Sequence, residues 1–150
     1  MNVILLVEDN PTDEALAVMA FKRSGVAYRL DVVRDGLEAL DYVFATGSHA
    51  ARGAAELPSL LLLDVNLPKL DGLGVLRRIR ADLRTAALPV VMLTSSRQDS
   101  DVRRAYELGA NAYVRKAVDF IEFAANVRAL ATFWLQVNRP QPRLVTDLAA

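Results

Sequence analysis

Uninterrupted runs of aliphatic residues alternate along this chain with longer segments in which apolar residues recur at helical spacing. Val3–Val7 and Leu60–Leu63 are two such runs, which are typical of strands buried on both faces of a parallel sheet. Three more strands are expected at 28–33, 89–93 and 112–115. Each predicted strand is followed by a predicted helix, at about 12–24, 35–44, 71–80, 99–108 and 118–137.

The predicted elements alternate strictly between strand and helix. Five βα units in succession require parallel strands, right-handed crossovers and helices on both faces of the sheet. The fold class is therefore α/β, a doubly wound domain over residues 1–138. The small-residue segment 47–57 is expected to be a loop insertion. Pro140 and Pro142 limit the segment after the last helix to a short tail, 139–150.

The spacing of apolar residues also predicts how two helices face the core. In the first helix the residues at helical spacing are Leu16, Met19, Ala20 and Phe21. In the third helix the inward residues are Leu73, Val75, Leu76 and Ile79. The arginines of that helix, Arg77, Arg78 and Arg80, are expected to point outward into solvent.

The composition excludes several classes of function. The chain has 150 residues, 53% hydrophobic and 24% charged, which is typical of one globular domain. Its 18 basic and 18 acidic residues cancel, so no electrostatic attraction to nucleic acid or to an anionic membrane is expected. The sequence has no cysteine, no signal peptide and no apolar stretch near the ~20 residues of a membrane span. We expect a cytoplasmic domain.

Acidic residues stand directly after two of the predicted strands. Glu8 and Asp9 follow Val3–Val7, and Asp64 follows Leu60–Leu63. In open α/β sheets, ligands bind in the crevice outside the carboxyl ends of the strands. Several carboxylates in one crevice repel each other unless a cation lies between them, and Mg²⁺ prefers oxygen ligands. The sequence therefore predicts a magnesium site and phosphate chemistry.

Three residues at strand ends complete a reactive constellation. Asp64 can act as a nucleophile toward a phosphoryl group when a metal neutralises the incoming oxygens. Thr94 ends the fourth predicted strand and offers a hydroxyl, and Lys116 ends the fifth and offers an ammonium. Lysine is scarce here, with three among the 18 basic residues, so its position at a strand end is informative.

These motifs resemble a response-regulator receiver domain of bacterial two-component signalling. The matching segments are Val-Glu-Asp-Asn at 7–10, Leu-Asp-Val-Asn-Leu-Pro at 63–68, Leu-Thr-Ser at 93–95 and Lys116. The resemblance extends over residues 2–137. It implies a five-stranded parallel sheet in the order 2-1-3-4-5 and a phosphoryl group transferred from a histidine kinase.

The resemblance also implies roles for individual residues. Glu8 and Asp9 would bind Mg²⁺, which Mn²⁺ or Ca²⁺ could replace. Asp64 would accept the phosphoryl group and ligate the metal, and the backbone carbonyl of Asn66 would complete the protein ligands.

The remaining site residues would act on the phosphoryl group. Thr94 and Lys116 would hold its oxygens, and Tyr113 would be the switch aromatic that swings inward as Thr94 moves. The family usually has a proline in a cis peptide bond after the lysine, where this chain has Ala117. A non-proline cis bond costs about 3 kcal/mol, so the loop is either strained or takes a trans path.

Two features resemble a subgroup of single-domain regulators that partner phytochrome-type histidine kinases. One is the insertion at 47–57, and the other is the aromatic end of the last helix at 133–135. That helix also carries apolar residues off its core stripe: Ile121, Ala125, Phe133 and Leu135. A homodimer is therefore expected, and the resemblance implies helix 4, strand 5 and helix 5 as its interface.

Two other functions compete with the phosphorylation switch. A magnesium-dependent phosphatase with an aspartyl intermediate would carry a second carboxylate where this chain has Asn66. A phosphorylation-independent interaction module is favoured only by Ala117. Nucleotide binding is disfavoured because no glycine-rich phosphate loop is present. The domain would catalyse its own phosphotransfer and hydrolysis, so it is not expected to be an enzyme for outside substrates.

Overall fold

The computed structural model describes residues 2–53 and 56–142, which form one parallel sheet with helices on both faces. The strands are β1 (Val3–Val7), β2 (Arg29–Val33), β3 (Leu60–Leu63), β4 (Val90–Thr94) and β5 (Ala112–Arg115). The helices are α1 (Pro11–Lys22), α2 (Gly36–Phe44), α3 (Gly72–Ala81), α4 (Asp99–Glu107) and α5 (Phe120–Thr132). The strand order is β2-β1-β3-β4-β5, so the predicted doubly wound fold and its order are confirmed.

The three central strands end at the same edge of the sheet. Val7 pairs with Leu63 across β1 and β3, and Leu63 pairs with Met92 across β3 and β4. Parallel strands in this register deliver the residues that follow them to one crevice. The position of the acids after β1 and β3 is thus a direct consequence of strand pairing.

The central strand β3 is apolar throughout because both of its faces are covered. Leu61 and Leu63 belong to the core between the sheet and α2, α3 and α4, whereas Leu60 and Leu62 belong to the core beneath α1 and α5. All four leucines have no exposed surface. Burying each such side chain contributes about 1.5–3 kcal/mol, so β3 is a rigid support for the residue that follows it.

Polar side chains fix where four helices begin. A side-chain oxygen accepts hydrogen bonds from backbone amides of the first turn at the N-caps of α1, α2, α3 and α5, which are Asn10, Asp35, Asp71 and Asp119. A cap of this kind contributes about 1 kcal/mol. For the site, the important cap is Asn10, since its Oδ1 receives the amides of Thr12 (2.9 Å) and Asp13 (3.1 Å).

The segment predicted as a loop insertion contains regular structure. Residues Gly47–Arg52 form a 3₁₀ helix, which corrects the expectation of a loop over this part. Arg52 holds it in place by donating from Nε to the carbonyl oxygen of Tyr42 (3.0 Å) and by lying 4.3 Å from the centre of the Tyr42 ring. The hydrogen bond satisfies a backbone carbonyl at the end of α2. The sequence pattern gives no indication of either contact. Residues 54 and 55 lie outside the described ranges.

Two of the expected side-chain directions need correction. Arg80 does not point into solvent, because its guanidinium donates to the carbonyl oxygens of Leu88 (2.7 Å) and Gly109 (2.8 Å). In α1, not all of the apolar residues at helical spacing face the core. Ala20 is buried, whereas Leu16 and Met19 are 36% and 46% exposed.

The last helix buries one stripe of apolar residues and changes geometry near its end. Phe123, Val127 and Leu130 are buried, and Ile121 is 77% exposed on the other face. After α5 the chain continues as a π-helical turn over Phe133–Val137. Of the predicted tail, residues 139–142 have no regular structure and 143–150 lie outside the described residues. Within the described ranges, every helix is too short or too polar to span a bilayer.

Candidate functional site

Three carboxylates meet at the carboxyl edge of the sheet, as the sequence predicts. One oxygen each from Glu8, Asp9 and Asp64 lie within 4.8 Å of one another. The strand ladder continues into two of them, since the Glu8 amide donates to the Val33 carbonyl oxygen (3.0 Å) and the Asp64 amide to that of Val7 (3.4 Å). Glu8 and Asp64 are only 3% and 6% exposed, whereas Asp9 faces solvent.

The Lys116 ammonium lies directly against these acids. Its Nζ donates to Asp64 Oδ2 at 2.9 Å and to Asp13 Oδ2 at 3.0 Å, and it also contacts Glu8 Oε1. Every peptide bond in the described ranges is trans. Of the two paths that Ala117 left open, the loop therefore takes the trans one, and Lys116 still reaches the site.

For both Glu8 and Lys116, burial and neighbouring charges shift the pKa in opposite directions. Burial raises the pKa of Glu8, although its hydrogen bond with Lys116 acts to lower it. Burial lowers the pKa of Lys116, but hydrogen bonds to Asp64 and Glu8 outweigh that effect and leave it above its ordinary value. Lys116 is therefore charged at neutral pH. One ammonium offsets only part of the charge of the neighbouring carboxylates, so the crevice attracts further positive charge.

The backbone of Asp64 is approached closely by the start of α3. A Cβ atom on residue 72 would lie 1.9 Å from the Asp64 carbonyl oxygen, so only glycine fits there. The Gly72 amide donates to the Val65 carbonyl oxygen at 2.8 Å. This close packing fixes the loop that carries Asp64 against the end of β3.

Thr94 and Tyr113 are joined through Ser96. Thr94 has no exposed surface, and its Oγ1 accepts a hydrogen bond from the Ser96 amide at 3.2 Å. Tyr113 donates from its hydroxyl to the Ser96 carbonyl oxygen, also at 3.2 Å. The Lys116 amide donates to the Thr94 carbonyl oxygen at 2.9 Å. The ends of β4 and β5 therefore form one connected unit with the loop that leads to α4.

Similarity to known proteins identifies the family of this chain. The sequence matches the response regulator receiver domain over residues 4–128. The chain belongs to the response regulator receiver family. Receiver domains are phosphorylated by partner histidine kinases and are not enzymes in the ordinary sense.

Individual relatives cover most of this receiver domain. The probable methanogenesis regulatory protein FilR2 of Methanothrix harundinacea is 42% identical over 137 residues, covering 91% of this chain and 86% of that protein. Response regulator Rcp1 of Synechocystis is 37% identical over 134 residues, covering 89% of each chain.

Two solved structures show the same fold. The Mn²⁺-bound form of Rcp1 has a TM-score of 0.85 at 35% identity, covering 95% of this chain and 100% of that one. The phosphorylated cyanobacterial phytochrome response regulator RcpA has a TM-score of 0.86 at 36% identity, covering 94% and 99%. In sequence and structure this receiver domain is thus similar to phytochrome response regulators.

The acids of this receiver domain form a donor set that fits a divalent cation. All three candidate ligands offer carboxylate oxygen, which hard cations such as Mg²⁺, Mn²⁺ and Ca²⁺ prefer. The exposed carboxylate of Asp9 leaves the crevice open to solvent, so an ion can enter with waters still bound. Asn66 lies beside these three acids, and its backbone amide donates to Asp64 Oδ1 at 3.3 Å.

Sequence reasoning missed the contacts that two residues make in the site. Asp13 belongs to the acidic first turn of α1, and nothing in its spacing pointed to Lys116. Ser96 could be expected to flank the site from the sequence, but its hydrogen bonds with Thr94 and Tyr113 could not. The available signal for Asp13 was its place three residues after the cap Asn10, because the first turn of α1 starts at the edge where the acids meet.

Proposed function

We propose that this receiver domain is a single-domain, magnesium-dependent phosphorylation switch in which Asp64 accepts a phosphoryl group from a phytochrome-type histidine kinase. The observation that carries the proposal is the Asp64 carboxylate, which stands within the acid cluster and 2.9 Å from the Lys116 ammonium. A nucleophilic carboxylate flanked by a cation and by metal ligands is what attack on a phosphoryl group requires. The switch comprises residues 1–138, and residues 139–150 lie outside it. The protein acts in the cytoplasm.

The chemical step transfers a phosphoryl group between two residues. A carboxylate oxygen of Asp64 forms the bond to phosphorus as the bond between phosphorus and the kinase histidine nitrogen breaks, and that nitrogen keeps the electron pair. Lys116 neutralises phosphoryl oxygens. A Mg²⁺ ion held by Glu8, Asp9, Asp64 and the Asn66 carbonyl would supply additional neutralisation of charge on the phosphoryl group.

The readout of the step is a rearrangement around Thr94. A phosphoryl oxygen is a stronger hydrogen-bond acceptor than a neutral group, so the Thr94 hydroxyl turns toward it and donates. This removes the bond between Thr94 Oγ1 and the Ser96 amide. The loop that carries Ser96 then moves, and the hydrogen bond from the Tyr113 hydroxyl to the Ser96 carbonyl oxygen is lost. A local charge change thereby biases a two-state surface.

Exposed apolar side chains beside the site support docking of a protein partner. Leu16 and Val118 line a cavity of about 50 Å³ next to Asp13 and Lys116. Val118 is 93% exposed and Leu16 is 36% exposed, so both apolar side chains are accessible to a partner. A kinase helix that presents its histidine to Asp64 would cover these residues.

The dimer interface is the face formed by α4, β5 and α5. A groove of about 850 Å³ runs across β5, the last strand in the sheet order, and its lining includes Val102, Val114 and Phe133. Phe133 is 47% exposed. Light scattering after gel filtration checks this part: the wild type should be a dimer and Phe133→Glu a monomer, and a monomeric wild type would refute it.

Intact mass after incubation with acetyl phosphate and Mg²⁺ tests the proposed function. The wild type should gain about 80 Da, and neither Asp64→Asn nor wild type in chelator should do so. Steady release of phosphate from phosphomonoesters, far beyond one equivalent per chain, would instead favour the phosphatase alternative. No adduct on protein shown to bind Mg²⁺ would favour the interaction module.

A further inference from the structure

The direction of the Lys116 side chain is set by the carboxylates around it. Its backbone amide is held by Thr94, and the residue after it is Ala117 rather than a proline. A lysine side chain is a flexible four-carbon stem, so its ammonium lies wherever hydrogen-bond acceptors hold it. The lasting position of Nζ therefore depends on which of its acceptors remain available during the reaction.

The carboxylates that hold Lys116 fall into two groups. Glu8 and Asp64 belong to the cluster that fits a divalent cation, together with Asp9. Asp13 stands outside that cluster and comes from the first turn of α1, 3.0 Å from Nζ. A cation bound to the cluster competes with Lys116 for the oxygens of Glu8 and Asp64, whereas it leaves the carboxylate of Asp13 free for the lysine.

We propose that Asp13 is a positioning residue, which keeps the Lys116 ammonium at the site when a metal ion occupies the other carboxylates. This inference rests on the proposed function and adds a residue to it. The backbone of Asp13 is well fixed for the task, because its amide donates to the capping side chain of Asn10 at 3.1 Å. Asp13 thereby holds the Lys116 ammonium from α1, independently of the loop that follows Lys116.

The adjacent acid in the same turn provides a matched control. Glu14 also pairs with a cation at 3.0 Å, but that cation is Arg34, whose side chain is 61% exposed. The Lys116 side chain is only 12% exposed, and that of Asp13 is 36% exposed. Exposed pairs contribute little, so Glu14→Gln should leave Lys116 unaffected while removing the same charge from the same turn.

Ammonium NMR of the full chain observes the proposed contact without using activity. Only three lysines are present, and Lys22 and Lys69 are exposed, although Lys69 pairs with Asp35 at 3.4 Å. The signal of the Lys116 ammonium is therefore identified by its absence from the spectrum of Lys116→Met. With saturating MgCl₂ the signal should persist in the wild type, Glu14→Gln and Asp13→Glu, and disappear in folded Asp13→Asn. Persistence in Asp13→Asn, or disappearance in the wild type, would overturn the proposal.

Rates of adduct formation from acetyl phosphate at saturating MgCl₂ give the functional counterpart. Asp13→Asn should react about tenfold more slowly, and Asp13→Glu should recover most of the loss because it restores the charge. Equal rates for wild type and Asp13→Asn would refute the role of Asp13 while the proposed function stands. A wild type that forms no adduct would refute the proposed function, and the NMR comparison would still decide the role of Asp13.

Discussion

Lys116 and Arg80 lie at opposite edges of the same sheet and differ in the charge of their partners. At the carboxyl edge Lys116 contacts three carboxylates, one of them Asp64. At the amino edge Arg80 donates to neutral oxygens, which include the carbonyls of Leu88 and Gly109 and the side chain of Asn111 (2.9 Å). Both cations are partly buried, but of the two only Lys116 has carboxylate partners for which a bound cation could compete.

The charge of the partners decides how burial affects the pKa of each cation. Burial lowers the pKa of Arg80, and its carbonyl partners bring no charge to compensate. Lys116 ends with a raised pKa because its partners are anions. Arg80 therefore ties the loops before β4 and β5 together, whereas Lys116 lies against carboxylates that could also bind a cation.

Removal of Arg80 should have the largest effect on stability. Arg80→Met removes the donor of several partly buried carbonyl oxygens at once and should lower the free energy of unfolding by about 3 kcal/mol. Urea denaturation with and without Mg²⁺ measures this, and Mg²⁺ should not restore the loss. Arg77→Met on the exposed face of α3 is the control and should change stability by less than about 0.5 kcal/mol. An equal loss for both arginines would mean that Arg80 has no special role at the amino edge.

Metal binding should stabilise the carboxyl edge and be insensitive to the amino edge. At a hundredfold excess over its dissociation constant, Mg²⁺ should raise the unfolding free energy of the wild type by about 2.7 kcal/mol. Arg80→Met should keep the same increment, and Asp9→Asn should lose most of it. A thermal shift series in MgCl₂ checks both variants. An increment that survives in Asp9→Asn would exclude this acid as a ligand.

The smallest effect is the pH dependence of stability that Lys116 contributes at alkaline pH. Because its folded-state pKa is raised, Lys116 contributes stability that is fully present below pH 10.5 and is lost as the pH rises through the folded value. In chelator, the difference in unfolding free energy between wild type and Lys116→Met should be constant up to about that pH and then decrease. Lys22→Met controls for the loss of a surface lysine. A difference that grows with alkaline pH would reverse the assigned sign.

The sequence predicts most of the fold because the strongest signals in it are local. Val3–Val7 and Leu60–Leu63 are apolar because strands covered on both faces must be, and the acids directly after them mark the edge at which they end. Asp64, Glu8 and Asp9 could therefore be placed together from the sequence alone. Lys116 could be placed at the same edge for the same reason, since it also stands directly after a strand.

The features that the sequence could not predict depend on contacts between distant elements. The helical position of Arg80 points away from the core, but its long side chain reaches loops 29 and 31 residues further along the chain. Asp13 and Lys116 are 103 residues apart, and only the packed sheet and α1 bring them together. Ala117 favours the trans path after Lys116, because a non-proline cis bond costs about 3 kcal/mol. Whether Lys116 still reaches the acids on that path could not be predicted, since Glu8 and Asp64 are 108 and 52 residues away in the sequence.

The most direct test of this contrast is the intact mass of two variants after treatment with acetyl phosphate and Mg²⁺. The measurement is made at a temperature at which circular dichroism shows Arg80→Met and Lys116→Met to be folded. Arg80→Met should gain the adduct of about 80 Da at the wild-type rate, and Lys116→Met should gain it about a hundredfold more slowly. A wild-type rate for Lys116→Met, or no adduct on folded Arg80→Met, would contradict the assignment of function to the carboxyl edge.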